Sequence, residues 1–130
     1  MNTTALVRTY GIGRAAFGVT LLIAPVTSGR MLAGEGATAP DAQAFLHGMG
    51  GRDLGLGLGM LAAVVTGRSP RSWLMAGVLA DSSDIVGMAR AWPNLDPGKR
   101  GSGVAFAGGA AATGGAAATG LALLAATANT

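Results

Sequence analysis

The stretch HGMGGRDLGLGLGM, residues 47–60, places two opposite charges side by side in an apolar segment rich in glycine. After Arg52 and Asp53, the next polar side chain is that of Thr66. A charge in an apolar environment is costly unless it is paired and hydrogen-bonded. The segment therefore predicts that Arg52 and Asp53 face the interior of the fold and meet charges from other parts of the chain.

The composition favours a membrane protein over a soluble bundle, which stays as the alternative. The chain has 130 residues, enough for one domain, and only 12% of them are charged, where a soluble domain has about 25%. Half of the residues are hydrophobic and 23 are glycine, a residue frequent at membrane helix contacts. The absence of cysteine excludes disulfides and thiol chemistry. The net charge of +3 is spread thinly, which argues against a nucleic-acid partner.

Four windows are long and apolar enough to predict helices that cross a lipid bilayer. They cover approximately residues 5–25, 44–66, 71–92 and 104–126, and the segments between them contain proline and glycine. Short connections make neighbouring helices antiparallel. The sequence therefore predicts an all-α fold, an up-down four-helix bundle with residues 1–130 as one transmembrane domain, located as a multi-pass protein in the cell membrane. Arg14 interrupts the first apolar run, which argues against a cleaved signal peptide.

Small residues at a spacing of four predict close helix contacts. The second window has such a face: Gly51, Gly55 and Gly59. The first window has a similar one: Gly11, Ala15 and Gly18. The fourth window consists mainly of Ala, Gly, Thr and Leu, and is small on several faces. These faces either hold the monomer together or also contact a second copy or a larger membrane complex.

Five charged residues lie near the midpoints of the first three windows: Arg14, Arg52, Asp53, Asp81 and Asp84. A lone Arg or Asp at the centre of a bilayer costs about 2.5–3.5 kcal/mol. We therefore expect all five to face inward and pair in one layer. Three acids against two arginines leave one acid in excess, unless Arg90 or His47 reaches the layer. We expect that acid to carry a proton near neutral pH.

Three carboxylates are the candidate catalytic groups: Asp53, Asp81 and Asp84. Asp81 and Asp84 are three residues apart, which places both over one helical turn, and paired acids of this kind can act as general acid and base. The alternative is that they only neutralise the arginines. The candidate substrate-binding or charge-pairing residues are Arg14, Arg52, His47 and Tyr10.

Neither a metal nor a cofactor is expected from the motifs. The chain has one histidine and no cysteine, too few of the usual ligands for a transition metal. The glycine-rich segment GIGRAAFG, residues 11–18, lies inside an apolar run without a preceding strand. A nucleotide-binding loop requires that strand, so the segment does not predict one.

Several motifs together resemble a group of small four-helix bacterial integral membrane proteins whose activity is not established. The motifs are YGIGRAAFG (10–18), LLIAP (21–25), GMGGRDLGLGLG (48–59) and LADSSDIV (79–86). The resemblance covers roughly the first 90 residues, and its most specific part is the Arg-Asp pair followed by the D-x-x-D turn. It implies a membrane bundle with these Arg and Asp positions, and no particular reaction.

Three functions are compatible with a buried Arg/Asp layer. The first is a site that binds or processes a small, largely apolar molecule, with isomerisation, cyclisation or epoxide opening as reactions that carboxylic acids alone can catalyse. The second is a proton-coupled transporter or channel, for which four spans would require an oligomer. The third is an accessory subunit of a larger membrane complex. The sequence leaves open whether the protein is an enzyme.

Overall fold

The computed structural model describes residues 3–101 together with residues 108, 109, 112 and 115. All regular structure in these residues is helical, which confirms the predicted all-α class. The α-helices are α1 (Thr3–Ile23), α2 (Pro25–Ala33), α3 (Pro40–Val65) and α4 (Arg71–Ala91), and two 3₁₀ turns span Glu35–Thr38 and Trp92–Asn94. The fourth predicted window, residues 104–126, lies outside the described residues except for 108, 109, 112 and 115, which are helical.

The segment between the first two windows, predicted as a polar loop, contains a helix of its own. Pro25 is the first residue of α2, a position where its missing N–H costs nothing. Gly34 ends α2 with a φ of +86°, and its N–H donates to the carbonyl of Arg30 at 3.0 Å. Glycine adopts such a positive φ without the steric cost that a side chain would add. Helix α3 then begins at Pro40, four residues before the predicted start.

Helices α1 and α3 are antiparallel and touch along their backbones. Gly18 lies against Gly50, and Gly11 lies against Gly57. A Cβ atom added to Gly18 would be 2.4 Å from the backbone nitrogen of Leu54. This distance leaves no room for any side chain, so the two helices pack at the closest separation that their backbones allow. The predicted small-residue face Gly11, Ala15 and Gly18 on α1 is confirmed, because Ala15 also contacts Gly57.

The small-residue face predicted on α3 does not make the contact with α1. A Cβ atom added to Gly51 or Gly55 would meet none of the described residues within 4 Å. Gly59 does make a close contact, but with the indole ring of Trp73 on α4 and not with the backbone of α1. The motif GxxxGxxxG therefore does not form the contact between α1 and α3.

The rotation of α3 is set by its charge and not by this glycine motif. Asp53 is buried, and Gly50 and Gly57 lie three residues before it and four residues after it. Residues at these spacings share one face of a helix. Turning Asp53 inward therefore places Gly50 and Gly57 against α1 and leaves Gly51 and Gly55 on the outside.

Helix α4 completes the bundle by packing on both α1 and α3. Val7, Met60 and Leu74, one from each of the three helices, are fully buried and form the apolar core at one end. Further along α4, a Cβ atom added to Gly77 would be 3.2 Å from Nη1 of Arg14. The absence of a side chain at Gly77 gives the long side chain of Arg14 room beside α4.

The outer faces of the three long helices are apolar. Several large hydrophobic side chains are more than 40% exposed there: Ile12, Val19, Ile23, Phe45, Leu58, Val65, Met75, Leu79 and Val86. Among the described residues, only α1 is long and apolar enough by composition to cross a membrane. One such helix near the N-terminus is weak evidence, since a core helix of a soluble protein or a signal sequence has the same composition. The prediction of several spans is therefore not supported by composition alone.

Candidate functional site

Arg14 of α1 binds Asp81 of α4 through two parallel hydrogen bonds. Its Nη1 donates to Oδ2 at 2.7 Å and its Nη2 donates to Oδ1 at 2.9 Å. Tyr10, one turn earlier on α1, accepts from Arg14 Nη1 at 2.8 Å and donates to Asp81 Oδ2 at 3.1 Å. A bidentate arginine–carboxylate pair is among the strongest polar contacts in proteins, so these three side chains fasten α1 to α4.

Arg52 of α3 binds Asp84 of α4 in the same way. Its Nη1 donates to Oδ1 at 2.9 Å and its Nη2 donates to Oδ2 at 2.7 Å. Asp84 comes one turn after Asp81 on α4, so the two bidentate pairs are stacked along the same side of that helix. Asp81 is thus held from α1, whereas Asp84 is held from α3.

Asp53 joins the two pairs into one network. Its Oδ1 forms an ion pair with Nη2 of Arg14, and its Oδ2 accepts from Nη2 of Arg52 at 2.9 Å. The predicted meeting of charges from three helices is therefore confirmed. The expectation that one acid would lack an arginine is wrong, because Asp53 lies between the two guanidinium groups and each acid has at least one arginine partner. The cluster still contains three acids and two arginines, and the expectation that one acid carries a proton stays a prediction.

The two residues named as further partners for the excess acid do not reach the layer. His47 is exposed, and its Nδ1 lies 2.9 Å from the backbone oxygen of Gln43 on its own helix. Arg90 is exposed in the last turn of α4, about one and a half turns beyond Asp84. Neither forms an ion pair with the cluster, so the candidate site consists of Tyr10 and the five paired charges.

The two bidentate pairs differ in exposure. The side chains of Arg14, Asp53 and Asp81 are 4–6% exposed, whereas those of Arg52 and Asp84 are each 30% exposed. Among the described residues, Arg52 is also the only partner of Asp84. The inner three charges therefore hold the helices together, and the pair Arg52–Asp84 is the part of the cluster that another molecule can reach.

The cluster forms one wall of a cavity of about 910 Å³. The other walls are mainly apolar, and the larger side chains among them are Leu6, Phe17, Leu32, Leu46, Met49, Met88 and Leu95. Ligand sites in proteins are typically of this size, apolar with a few convergent polar groups. The arrangement can therefore enclose an apolar body while a polar end faces the ion pairs.

Parts of the cavity wall come from segments that the sequence analysis treated as connections. Leu32 and Ala33 belong to α2, and Leu95 follows the 3₁₀ turn after α4. Pro25 at the start of α2 and Gly34 at its end were the available signals for this helix. The sequence carries no comparable signal that α2 folds back towards the cluster.

Chemically, the site offers carboxylates and guanidinium groups. Among the described residues, no group of histidine, cysteine, aspartate and glutamate side chains has an arrangement that could hold a metal ion. No family model, no curated protein and no solved structure matches this chain. The resemblance to small four-helix bacterial membrane proteins therefore stays a prediction.

Proposed function

We propose that this chain is an integral membrane bundle that binds a small, largely apolar molecule in the cavity, with the polar end of that molecule against Arg52 and Asp84. The observation that carries the proposal is an apolar cavity of about 910 Å³ with a partly exposed ion pair in its wall. A structural salt bridge alone needs no cavity beside it. An apolar cavity alone would gain nothing from costly buried charges.

The distribution of charge over the helices supports the membrane environment. The charges in the middle of α1, α3 and α4 all belong to the inward cluster, whereas the outer faces carry apolar side chains. The charges in α3 and α4 lower the mean hydropathy of these helices, but they are paired with one another inside the bundle. Because paired inward charges are the form in which membrane helices carry ionisable residues, α3 and α4 can accompany α1 across a bilayer.

The membrane environment predicts how the chain behaves on extraction. We expect it to stay in the pellet when membranes are washed with alkaline carbonate, and to dissolve only when detergent is added. The reason is that the exposed apolar side chains of the three long helices would otherwise face water. The measurement is the amount of chain in pellet and supernatant. Release by carbonate alone would contradict the proposal that the bundle spans the membrane.

The residues of the cluster have two different roles: some hold the helices together, and others can meet a bound molecule. Arg14, Asp53 and Asp81 are almost fully buried, so they hold α1, α3 and α4 at fixed heights. All three aspartates line the cavity, and Asp84 is the most exposed of them. If the bound molecule is also converted, Asp84 is therefore the acid best placed to exchange a proton with it.

Filling the cavity tests the proposed binding. Gly13 lines the cavity, and a Cβ atom there would meet no described residue within 4 Å, so Gly13→Leu extends a side chain into the cavity. We expect this variant to bind n-decanol at least about tenfold more weakly than the unchanged chain, a loss of roughly 1.4 kcal/mol. Native mass spectrometry of the protein in mild detergent measures the bound fraction.

The matched control is Gly55→Leu. Gly55 is also a helical glycine with open space around its Cβ position, but it does not line the cavity. We expect its binding of n-decanol to equal that of the unchanged chain. Equal binding by both variants, or no binding by the unchanged chain, would contradict a ligand site in the cavity.

A further inference from the structure

The arginines of the cluster have almost no hydrogen left to offer a ligand. Each terminal nitrogen of a guanidinium group carries two hydrogens. In Arg14, Nη1 is used by Tyr10 and Asp81, and Nη2 is used by Asp81 and Asp53. The two terminal nitrogens of Arg14 are therefore fully engaged within the protein.

Arg52 is nearly as fully engaged. Its Nη2 is used by Asp53 and Asp84, and its Nη1 donates to Asp84, which leaves one terminal hydrogen. The Nε atoms of Arg14 and Arg52 have no hydrogen-bond partner among the described residues, but both are enclosed. A molecule in the cavity cannot reach them, so a ligand that accepts hydrogen bonds finds a single donor hydrogen on the two arginines.

The acceptors, in contrast, are in surplus. A carboxylate oxygen can accept two hydrogen bonds, and each oxygen of Asp84 accepts one, from Arg52. The side chain of Asp84 is 30% exposed and lines the cavity. The reachable part of the cluster therefore accepts hydrogen bonds more readily than it donates them.

The balance of acids and arginines in the cluster also favours a ligand that donates hydrogen bonds over one that accepts them. Two arginines face three aspartates, so the cluster contains one acid more than it contains guanidinium groups. A positive group that approaches this excess acid beside apolar walls is attracted to it. A carboxylate-bearing ligand would raise the negative charge and would have to displace Asp84 from Arg52.

We infer that the polar end of the bound molecule is a protonated primary amine whose N–H groups donate to Asp84 while its apolar tail fills the cavity. The inference rests on the proposed function, because it concerns the same cavity. An ammonium group brings both the donor hydrogens and the positive charge that the cluster lacks. A hydroxyl group brings a donor hydrogen without the charge, and a quaternary ammonium group brings the charge without a donor hydrogen.

The test compares four probes with the same ten-carbon tail at neutral pH. Native mass spectrometry in mild detergent measures the binding of n-decylamine, n-decanol, decyltrimethylammonium and decanoate to the unchanged chain. We expect decylamine to bind at least about tenfold more tightly than each of the others, a factor that corresponds to roughly 1.4 kcal/mol. This comparison needs no variant, so it does not depend on whether a mutant folds.

A variant assigns the preference to Asp84. In Asp84→Asn the advantage of decylamine over decanol is expected to disappear. The control is Asp41→Asn, which makes the same change of charge at an exposed acid in the first turn of α3 and is expected to keep the advantage. Retention of the amine preference in Asp84→Asn would overturn the assignment.

The other possible outcomes show whether the amine preference fails or whether the cavity itself is not a binding site. Tightest binding of decanoate, or equal binding of decanol and decylamine, would overturn the amine while the cavity stays a binding site. Equal binding of decyltrimethylammonium and decylamine would overturn the role of the N–H donors. Failure of Gly13→Leu to weaken any of the four probes would instead contradict the cavity itself.

Discussion

Replacement of Arg14 by methionine is expected to lower the free energy of unfolding by about 3–5 kcal/mol, the usual cost of removing one partner from a buried ion pair. Among the described residues, Asp81 would keep only Tyr10 as a hydrogen-bond donor, and Asp53 would keep only Arg52. Both carboxylates are less than 10% exposed, so water cannot replace the lost guanidinium. Denaturation of the purified protein in detergent, followed by circular dichroism, measures the change.

Two further variants show whether the loss comes from the unpaired acids. Arg8→Met removes the same side chain from an exposed position of α1 and is expected to change the stability by less than about 0.5 kcal/mol. Adding Asp81→Asn to Arg14→Met removes an uncompensated charge and is expected to recover part of the loss. Equal destabilisation by Arg14→Met and Arg8→Met would show that the cluster contributes nothing to the fold.

Replacement of Gly18 by alanine is expected to destabilise the bundle by about 1–3 kcal/mol or more, the usual cost of forcing extra volume into a packed contact. The new Cβ would be 2.4 Å from the backbone nitrogen of Leu54 and 2.6 Å from the carbonyl oxygen of Gly50. Neither neighbour is a flexible side chain that can rotate away. Helices α1 and α3 would have to separate, which would also stretch the ion pair between Arg14 and Asp53.

The same substitution at Gly55 is expected to stabilise the bundle slightly and not to destabilise it. In the part of the chain that the structure describes, nothing lies within 4 Å of a Cβ at that position, so alanine would gain only its better helix propensity, about 0.5–1 kcal/mol. Thermal denaturation of the two variants in the same detergent gives the comparison. If Gly55→Ala were as destabilising as Gly18→Ala, the outward position of Gly55 would be wrong.

The rotation of α3 about its own axis differs from the one that the glycine motif predicts. Gly51, Gly55 and Gly59 have the expected spacing for a helix contact, yet Gly50 and Gly57 make the contact with α1. The requirement that Asp53 face inward already selects the second set, since all three residues share one face. An outward charge would cost more than a packing motif gains, so Asp53 and not the glycine motif decides the rotation of α3.

The cavity could not be predicted in the same way. Its wall includes α2 and the residue after the second 3₁₀ turn, and both segments look like ordinary polar connections in the sequence. Their position over the cluster depends on long-range packing, such as the contact of Gly29 with Leu46. Local propensities contain no information about such contacts.

The sequence by itself determined which side chains must meet, because the cost of an unpaired charge in an apolar helix depends on residue type and position alone. It therefore indicated that Arg14, Arg52 and the three aspartates would turn inward. Only the tertiary structure decided that Asp53 lies between the two arginines and that Asp84 borders a cavity. Those outcomes depend on the rotation and relative height of three helices, which are set by backbone contacts between residues far apart in the chain.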